Sequence, residues 1–343
     1  MNEIQIQHRK IGREHSPFVI AGIGINHEGS YEKAIQLVNA AYEAHADCVT
    51  FQCHITKAER IQVNSKTRTV SKERLWDIIK RSELSEHDEI KIKEYCERKG
   101  ILYLSAPFSK EAAERLHKMR VPAFKISSGD CNNLPLIEHI AKWGKPIILS
   151  TGMNDMASII KSVSLIRKYG CPLLVMHCTS CYPTSHEKVR LDTISELEKK
   201  LKVPVGLSDH SNGIYTCLGA VALGACALEK HFTISRSWPG LNHFFSIEPM
   251  ELTEMVKGSR AVFSARGGGK IIFPEEQIVK EMASSSVVTI LPVKKGEEFT
   301  LKNIWVKRPG TGQIPASDLK KVLGKKAKKK LAMNVYINER DIA

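Results

Sequence analysis

Short apolar runs rich in β-branched residues recur along the chain, each giving way to polar residues. They are "FVIAGIGIN" from 18, "DCVTFQ" from 47, "ILYLSA" from 101, "AFKISS" from 123, "PIILST" from 146, "LLVMHC" from 173, "PVGLSD" from 204 and "ALEKHFT" from 227. Their length and composition predict buried strands. Most of the intervening segments have helical period. "YEKAIQLVNAAYEAHA" sets Ala34, Leu37, Val38, Ala41 and Ala44 on one stripe with charges opposite. "SEHDEIKIKEYCERKG" opens on Ser85 with Asp88 three residues on and closes on Gly100, and "DMASIIKSVSLIRKYG" ends on Gly170. Eight such strands alternating with helices predict an α/β chain folded as a (β/α)8 TIM barrel. A doubly wound open sheet is the competing arrangement. The segment 53–84 is long and polar, so one strand-to-helix connection is expected to be an extended loop.

The pattern changes after residue 266. "RGGGK" lacks the spacing of a phosphate-binding loop and reads as the end of the last helix. Residues 267–284 read as a linker. Beyond it, short strands with Gly and Pro turns predict a small β-rich module over 285–343. The expected division is therefore a barrel over 1–266, a linker and a small domain.

Composition narrows the setting. The chain has 343 residues, 42% hydrophobic and 26% charged, as in an ordinary globular protein. No apolar run approaches the roughly 20 residues of a membrane span, and the N-terminus "MNEIQIQHRKIGREH" lacks a signal-peptide core. The nine scattered cysteines are an odd count and suit reduced thiols in a cytoplasm. The C-x-x-C at Cys178 and Cys181 has no second pair to complete a zinc site. The net charge of +14 gathers partly in "DLKKVLGKKAKKKLAM", with no interleaved aromatics for base stacking. A solvated basic face that attracts small anions accounts for it, so neither nucleic acid nor membrane is expected as a partner.

In a (β/α)8 barrel the chemistry sits where the strands end. Here the endings read Asn26-His27, Gln52-Cys53-His54, Ser105-Ala106, Lys125 through Asp130, Ser150-Thr151, His177 through Tyr182, Ser208 through His210 and Glu229 through His231. His210 and His231 close successive strands and can place imidazoles on one divalent ion, Mn2+, Mg2+ or Zn2+, acting as a Lewis acid on a carbonyl. Lys125, Ser128, Ser150 and Ser208 are the donors a phosphate needs. Asp130 is a candidate for moving a proton. An anchored phosphate, a polarised carbonyl and a carboxylate suit aldol-like or phosphoenolpyruvate condensation.

The runs "VIAGIGINHEG", "VPAFKISSGDCNNLPLI", "GKPIILSTGM", "HCTSCYPT", "GLSDHSNG", "EKHFT" and "WVKRPGTG", in this order, resemble the N-acetylneuraminate (sialic acid) synthase family. The resemblance implies a TIM barrel followed by an antifreeze-like (SAF) domain, working as a domain-swapped homodimer. It implies condensation of phosphoenolpyruvate with N-acetylmannosamine or a related acetamido hexose, with release of phosphate. Mn2+ is the implied metal, with Mg2+ or Co2+ as substitutes. Position by position, His210 and His231 match the metal ligands, and Lys125, Ser128, Ser150 and Ser208 match the phosphoenolpyruvate set. Gln52, Ser180, Tyr182 and Asn242 match substrate positions, Asp130 matches a catalytic carboxylate, and Arg308 matches an arginine sent by the partner subunit to the sugar's N-acyl group.

The chain also departs from what the resemblance implies. Gly22 stands where bacterial members usually carry Glu, Thr50 where they carry a phosphate-binding Lys, Ala106 for Thr and Asn242 for Asp. Asp130 and Ser180 match animal-type members. Losing a lysine from a phosphate site removes a charge-assisted contact of about 1.5–3 kcal/mol. Lys57 or Lys66 on the long loop are candidates to replace it. Two alternatives therefore stand beside an active synthase. One is a catalytically weakened member with a ligand-binding or scaffolding role, and the other is a different barrel lyase or aldolase, against which "KRPGTG" argues.

Overall fold

A computed structural model of the protein describes residues 3–62 and 73–343. It falls into two compact units, residues 1–267 and 268–343.

The first unit is built on eight parallel strands: β3 (Phe18–Gly24), β4 (Cys48–Cys53), β5 (Leu102–Pro107), β6 (Phe124–Ile126), β7 (Ile147–Ser150), β8 (Leu173–Cys178), β9 (Val205–Asp209) and β10 (Ala227–His231). Their order around the sheet is β5-β4-β3-β10-β9-β8-β7-β6. β5 and β6 adjoin across the seam, which makes a nearly closed barrel rather than an open doubly wound sheet. Each strand coincides with one of the apolar runs, because a strand covered on both faces must be apolar almost throughout. The helices dock their predicted stripes on the outside. Ala34, Leu37, Val38 and Ala41 of the helix Tyr31–Glu43 are fully buried. Ser85 caps Glu86–Lys99 by accepting a bond from the Asp88 N–H, and Gly100 ends it with φ +80°.

Two features differ from the sequence expectation. The polar N-terminus forms a hairpin of β1 (Glu3–Ile6) and β2 (Arg9–Gly12). Its Ile4, Ile6 and Ile11 join Phe18, Ile20, Leu102, Leu104, Ile148 and Leu174 in one buried cluster. The long connection after β4 is not wholly loop: Thr56–Glu59 and Leu75–Ser82 are helical. Ile78 and Ile79 of the second helix are buried against Ile25, which gives that turn a reason to form. Lys66 lies outside the described residues, and Lys57 is exposed.

The second unit pairs β11 (Ser286–Thr289) with β12 (Ile304–Lys307) in antiparallel register. Val287, Val293, Phe299, Ile304, Val322, Leu331 and Ile337 form its core. The stretch expected to be linker contains a helix, Glu276–Ala283, with no buried residue. It carries Ile278, Val279 and Met282 into solvent. Among the described residues no helix is long and apolar enough to cross a membrane.

Candidate active site

Strand alternation sorts the rim residues into two layers. On β9, Ser208 and the following His210 face the barrel axis while Asp209 faces the helices; on β10, Glu229 and His231 face inward and Lys230 outward. β9 and β10 run in register, with Glu229 beside Ser208 and Lys230 beside Asp209. The outward pair closes a buried ion pair, Lys230 Nζ to Asp209 Oδ2 at 2.6 Å, with both side chains 1% exposed. Lys230 Nζ also donates to the Ser211 carbonyl at 2.6 Å, and the Thr216 hydroxyl donates to Asp209 at 2.7 Å. Burial would raise the Asp209 carboxyl, but the Lys230 ammonium and these hydrogen bonds outweigh it and hold it below the usual range. The histidine endings stand among charges because the charges on the outer layer brace them.

The inward layer surrounds a cavity of about 270 Å3. Gln52, Lys125, Ser128, Ser150, Tyr182, Ser208, His210 and His231 all line it, with Gly22, Thr50, Ala106, Ser127, Cys178 and Glu229. Among the described residues Lys125 is the one lysine or arginine in that lining. It pairs with Glu229 across the mouth, where Glu229 Oε2 and the hydroxyls of Thr50 and Ser150 are buried without a protein partner. The Ser128 hydroxyl accepts from the Gly152 N–H at 3.0 Å. A side chain at Gly152 would strike Ser180 Oγ at 2.2 Å and meet Ser128 Oγ at 3.0 Å, so its glycine lets Ser180 stand directly behind the serine cradle.

The two imidazoles lie 5.4 Å apart between centroids, with Tyr182 over His210 at 4.4 Å and the Phe245 ring 5.1 Å from His231. His210 Nδ1 donates to the Thr179 carbonyl at 2.9 Å, which leaves Nε2 for another partner. Burial alone would depress His210, but the Cys178 sulfur at 3.7 Å raises it. Cys178 moves the other way: burial would raise the thiol, and His210 pulls it down. Burial drives His231 well below the ordinary histidine range, with His210 adding to the effect, so it is a neutral ring. Its Nδ1 is buried with no protein partner. A neutral, unpartnered imidazole beside a second one fits a divalent ion. No group of three or more His, Cys, Asp or Glu ligands forms among the described residues, so water and substrate oxygens would complete the coordination.

Four expected residues are not in the lining, and Ser180, behind the serine cradle, is the first of them. Asp130 sits in the turn after β6, its carboxylate accepting from the Ser127 hydroxyl at 3.1 Å and from Asn133 Nδ2 at 3.0 Å. Asn242 lies in the loop after β10, where its carbonyl accepts from the Ser246 hydroxyl. Arg308 belongs to the second unit, where it is exposed and makes no hydrogen bond or ion pair among the described residues. Glu229 lines the cavity, and the rim pattern noted it without giving it a role. Its parity with His231 on β10 was the available signal.

A glycine at 22 is required by the backbone. Gly22 pairs with Thr50 on one side and His231 on the other, and a Cβ there would lie 2.8 Å from the Lys230 carbonyl oxygen.

The NeuB family model matches residues 37–271, and the SAF domain model matches residues 284–343. The chain belongs to the NeuB family. It is 40% identical to Uncharacterized protein MJ1065 of Methanocaldococcus jannaschii, covering 96% of this chain and 95% of that one. It is 36% identical to the N,N'-diacetyllegionaminic acid synthase of Campylobacter jejuni, covering 94% and 98%. The crystal structure of N-acetylneuraminic acid (sialic acid) synthetase from Leptospira borgpetersenii superposes with a TM-score of 0.73 at 32% identity, over 81% of this chain and 94% of that one. The barrel mouth is thus that of a NeuB-family synthase fold, followed by a SAF domain.

Proposed function

We propose that this NeuB-family chain is a cytoplasmic nonulosonic acid synthase that condenses phosphoenolpyruvate with N-acetylmannosamine or a related acetamido hexose and releases phosphate. The observation that carries the reading is the single cavity joining Lys125, Ser128, Ser150 and Ser208 to the His210–His231 pair. A lysine and three hydroxyls on neighbouring strands suit a phosphate ester. Two imidazoles beside them would hold Mn2+, or Mg2+ or Co2+ in its place, which supplies Lewis-acid polarisation of the sugar aldehyde.

The protein's own groups would then work as follows. Lys125 and the serines fix the enolpyruvate so that its C3 faces the sugar aldehyde. C3 bonds to the aldehyde carbon as the C=O π bond breaks and its oxygen takes a proton to become a hydroxyl. Water adds at C2, and the C2–O bond to phosphate breaks, the water's two protons ending on that hydroxyl and on the released phosphate, to leave a 2-keto acid. Glu229, whose Oε2 is free to accept, is placed to take a proton from the attacking water. Asp130 shapes the turn that carries Ser127 and Ser128. Gln52, Ser180 and Tyr182 flank the substrates, and Asn242 acts from the outer loop. The unpaired Arg308 and the exposed Ile278, Val279 and Met282 support a homodimer in which Arg308 serves a second copy.

A second reading, a weakened member that binds ligand without efficient turnover, is favoured by one observation. The cavity offers a single lysine, already paired with Glu229, to a highly charged anion. Phosphate release from phosphoenolpyruvate with Mn2+, against a panel of acetamido hexoses, separates the two. Sugar-dependent release by the natural protein is expected. Release only after Thr50→Lys would establish the weakened member, and no release or phosphoenolpyruvate binding by either would overturn the reading.

A further inference from the structure

Gln52 faces the cavity from β4, and two residues on the same strand face comes His54, just beyond the strand end. The chain then turns into the helix Thr56–Glu59, which brings Glu59 back over the His54 ring. His54 Nδ1 and Glu59 Oε2 are 2.7 Å apart, with the two side chains 1% and 2% exposed. Glu59 Oε1 accepts from Arg60 Nε at 2.8 Å. Phe108, itself part of the cavity wall, stacks on His54 with centroids 4.3 Å apart. The other ring nitrogen, Nε2, lies 3.1 Å from the Gln52 amide. A fully buried His–Glu pair therefore ends on a side chain that touches the cavity, and nothing in the condensation described above uses it.

Hydrogen-bond accounting gives the pair a task. A carboxylate only accepts, so the hydrogen of the His54–Glu59 contact sits on Nδ1. In the tautomer with its hydrogen on Nδ1, the ring presents Nε2 as an acceptor. The Gln52 atom facing Nε2 must then be the amide NH2. Oε1 faces Nε2 in one of two amide orientations that have the same shape and are told apart only by their partners. The other amide atom is then the carbonyl oxygen, on the Gly24 side, 3.8 Å from where a Cβ at Gly24 would stand. A Cβ at Gly24 would be 3.7 Å from both Gln52 Cδ and His231 Cε1.

We propose that His54 and Glu59 are positioning residues that lock the Gln52 amide with its carbonyl oxygen toward the cavity, so that this edge of the mouth accepts a hydrogen bond from a hydroxyl or amide N–H of the sugar. The inference rests on the synthase reading for the identity of the ligand, but not for the orientation of the amide. It makes the β4 edge select for a donor at one position of the acceptor sugar, while the phosphate cradle on β6 to β9 is untouched.

The test is 15N NMR of histidine-labelled full-length protein, with the His54 signals identified by their loss in His54→Phe. The natural protein is expected to show the neutral Nδ1–H tautomer at His54. Glu59→Leu removes the acceptor, and the hydrogen is expected to move to Nε2, turning the Gln52 NH2 toward the cavity. Glu59→Gln keeps a carbonyl acceptor and is expected to keep the natural tautomer. In kinetics with N-acetylmannosamine, or whichever acetamido hexose supports phosphate release, Glu59→Leu should raise the sugar KM about tenfold, equivalent to about 1.4 kcal/mol. It should leave the KM for phosphoenolpyruvate unchanged, and Glu59→Gln should restore the sugar KM. An Nε2–H tautomer or an imidazolium in the natural protein would overturn the proposal. So would Glu59→Gln behaving like Glu59→Leu, the outcome expected if Glu59 served only to pair with Arg60. Should Glu59→Leu not fold, the natural protein and Glu59→Gln still decide the matter. A natural tautomer as expected with no turnover of any sugar would sink the synthase reading and leave the locked amide standing.

Discussion

On the β9–β10 side of the mouth every inward group is braced by an outward one. Ser208 and His210 flank Asp209, Glu229 and His231 flank Lys230, and the two outward residues are ion-paired in a fully buried layer. On the β3–β4 side the corresponding inward positions are Gly22 and Thr50, which bring no charge, and the glycine is packed directly against the Lys230 carbonyl. The first side holds its groups through a polar layer that is costly to disturb. The second packs its backbone close and offers the cavity only the uncharged polar side chains of Thr50 and Gln52. In one barrel, the same alternation of strand residues thus produces a rigid chemical face and a compact, nearly neutral one.

The sharpest way to break this comparison is to remove one member of the outer pair. Lys230→Met leaves the Asp209 carboxylate buried without its ammonium and is expected to cost about 3–5 kcal/mol. Replacing both residues, as Asp209→Leu with Lys230→Met, should recover most of that loss; urea unfolding of the three proteins checks it. A loss under 1 kcal/mol for the single variant would show that the layer does not brace the histidines.

Next in size is the glycine. Gly22→Ala puts a methyl 2.8 Å from a backbone oxygen, and the strand shift it forces should cost about 1–3 kcal/mol in the same assay. A stability equal to the natural protein would mean that the β3–β10 spacing is loose.

Part of the pH dependence should come from His27, fully buried after β3, where desolvation pulls the imidazole down to about 3, with the buried His231 acting in the same direction. An unfolded histidine titrates near 6.5. Between those values the unfolded chain binds a proton that the folded one refuses, so stability is whole above about 6.5 and falls as the pH drops. From pH 7 to pH 5 the share of the loss due to His27 should be about 2 kcal/mol, and His27→Asn, which keeps an acceptor for the Gly29 N–H, should reduce the slope by that share. An unchanged slope in the variant would place the acid sensitivity elsewhere.

The smallest effect is expected at Thr50. Its hydroxyl is buried without a protein partner, so Thr50→Val should change stability by less than about 1 kcal/mol in either direction.

The sequence showed the barrel clearly because each of its strands is buried on both faces and therefore reads as an unbroken apolar run. It hid the N-terminal hairpin, since Ile4, Ile6 and Ile11 alternate with charged and amide residues over strands of only four residues, too short for the period to stand out. It hid Leu75–Ser82 because that helix buries only a narrow face within a polar segment. At the site, residue type was enough to mark His210, His231 and the serines. Glu229 and Lys230 look alike in a run of charges, and only strand parity sends one to the cavity and the other to the outer layer. Asp130 and Asn242 belong to loops, whose paths follow from local hydrogen bonds such as those of Ser127 and Ser246 rather than from any strand period. The Gln52–His54–Glu59 chain was invisible for the same reason, since it depends on a single helical turn folding Glu59 back on His54.

On the proposed synthase reading the charged face alone anchors the phosphate of phosphoenolpyruvate, through Lys125. Calorimetric titration of phosphoenolpyruvate into the Mn2+-loaded natural protein and into Lys125→Met tests it most directly. Saturable binding that weakens ten- to a hundredfold in the variant, equivalent to about 1.5–3 kcal/mol, is the predicted result. Equal affinity in the two proteins would contradict it and move the phosphate away from the cavity described here.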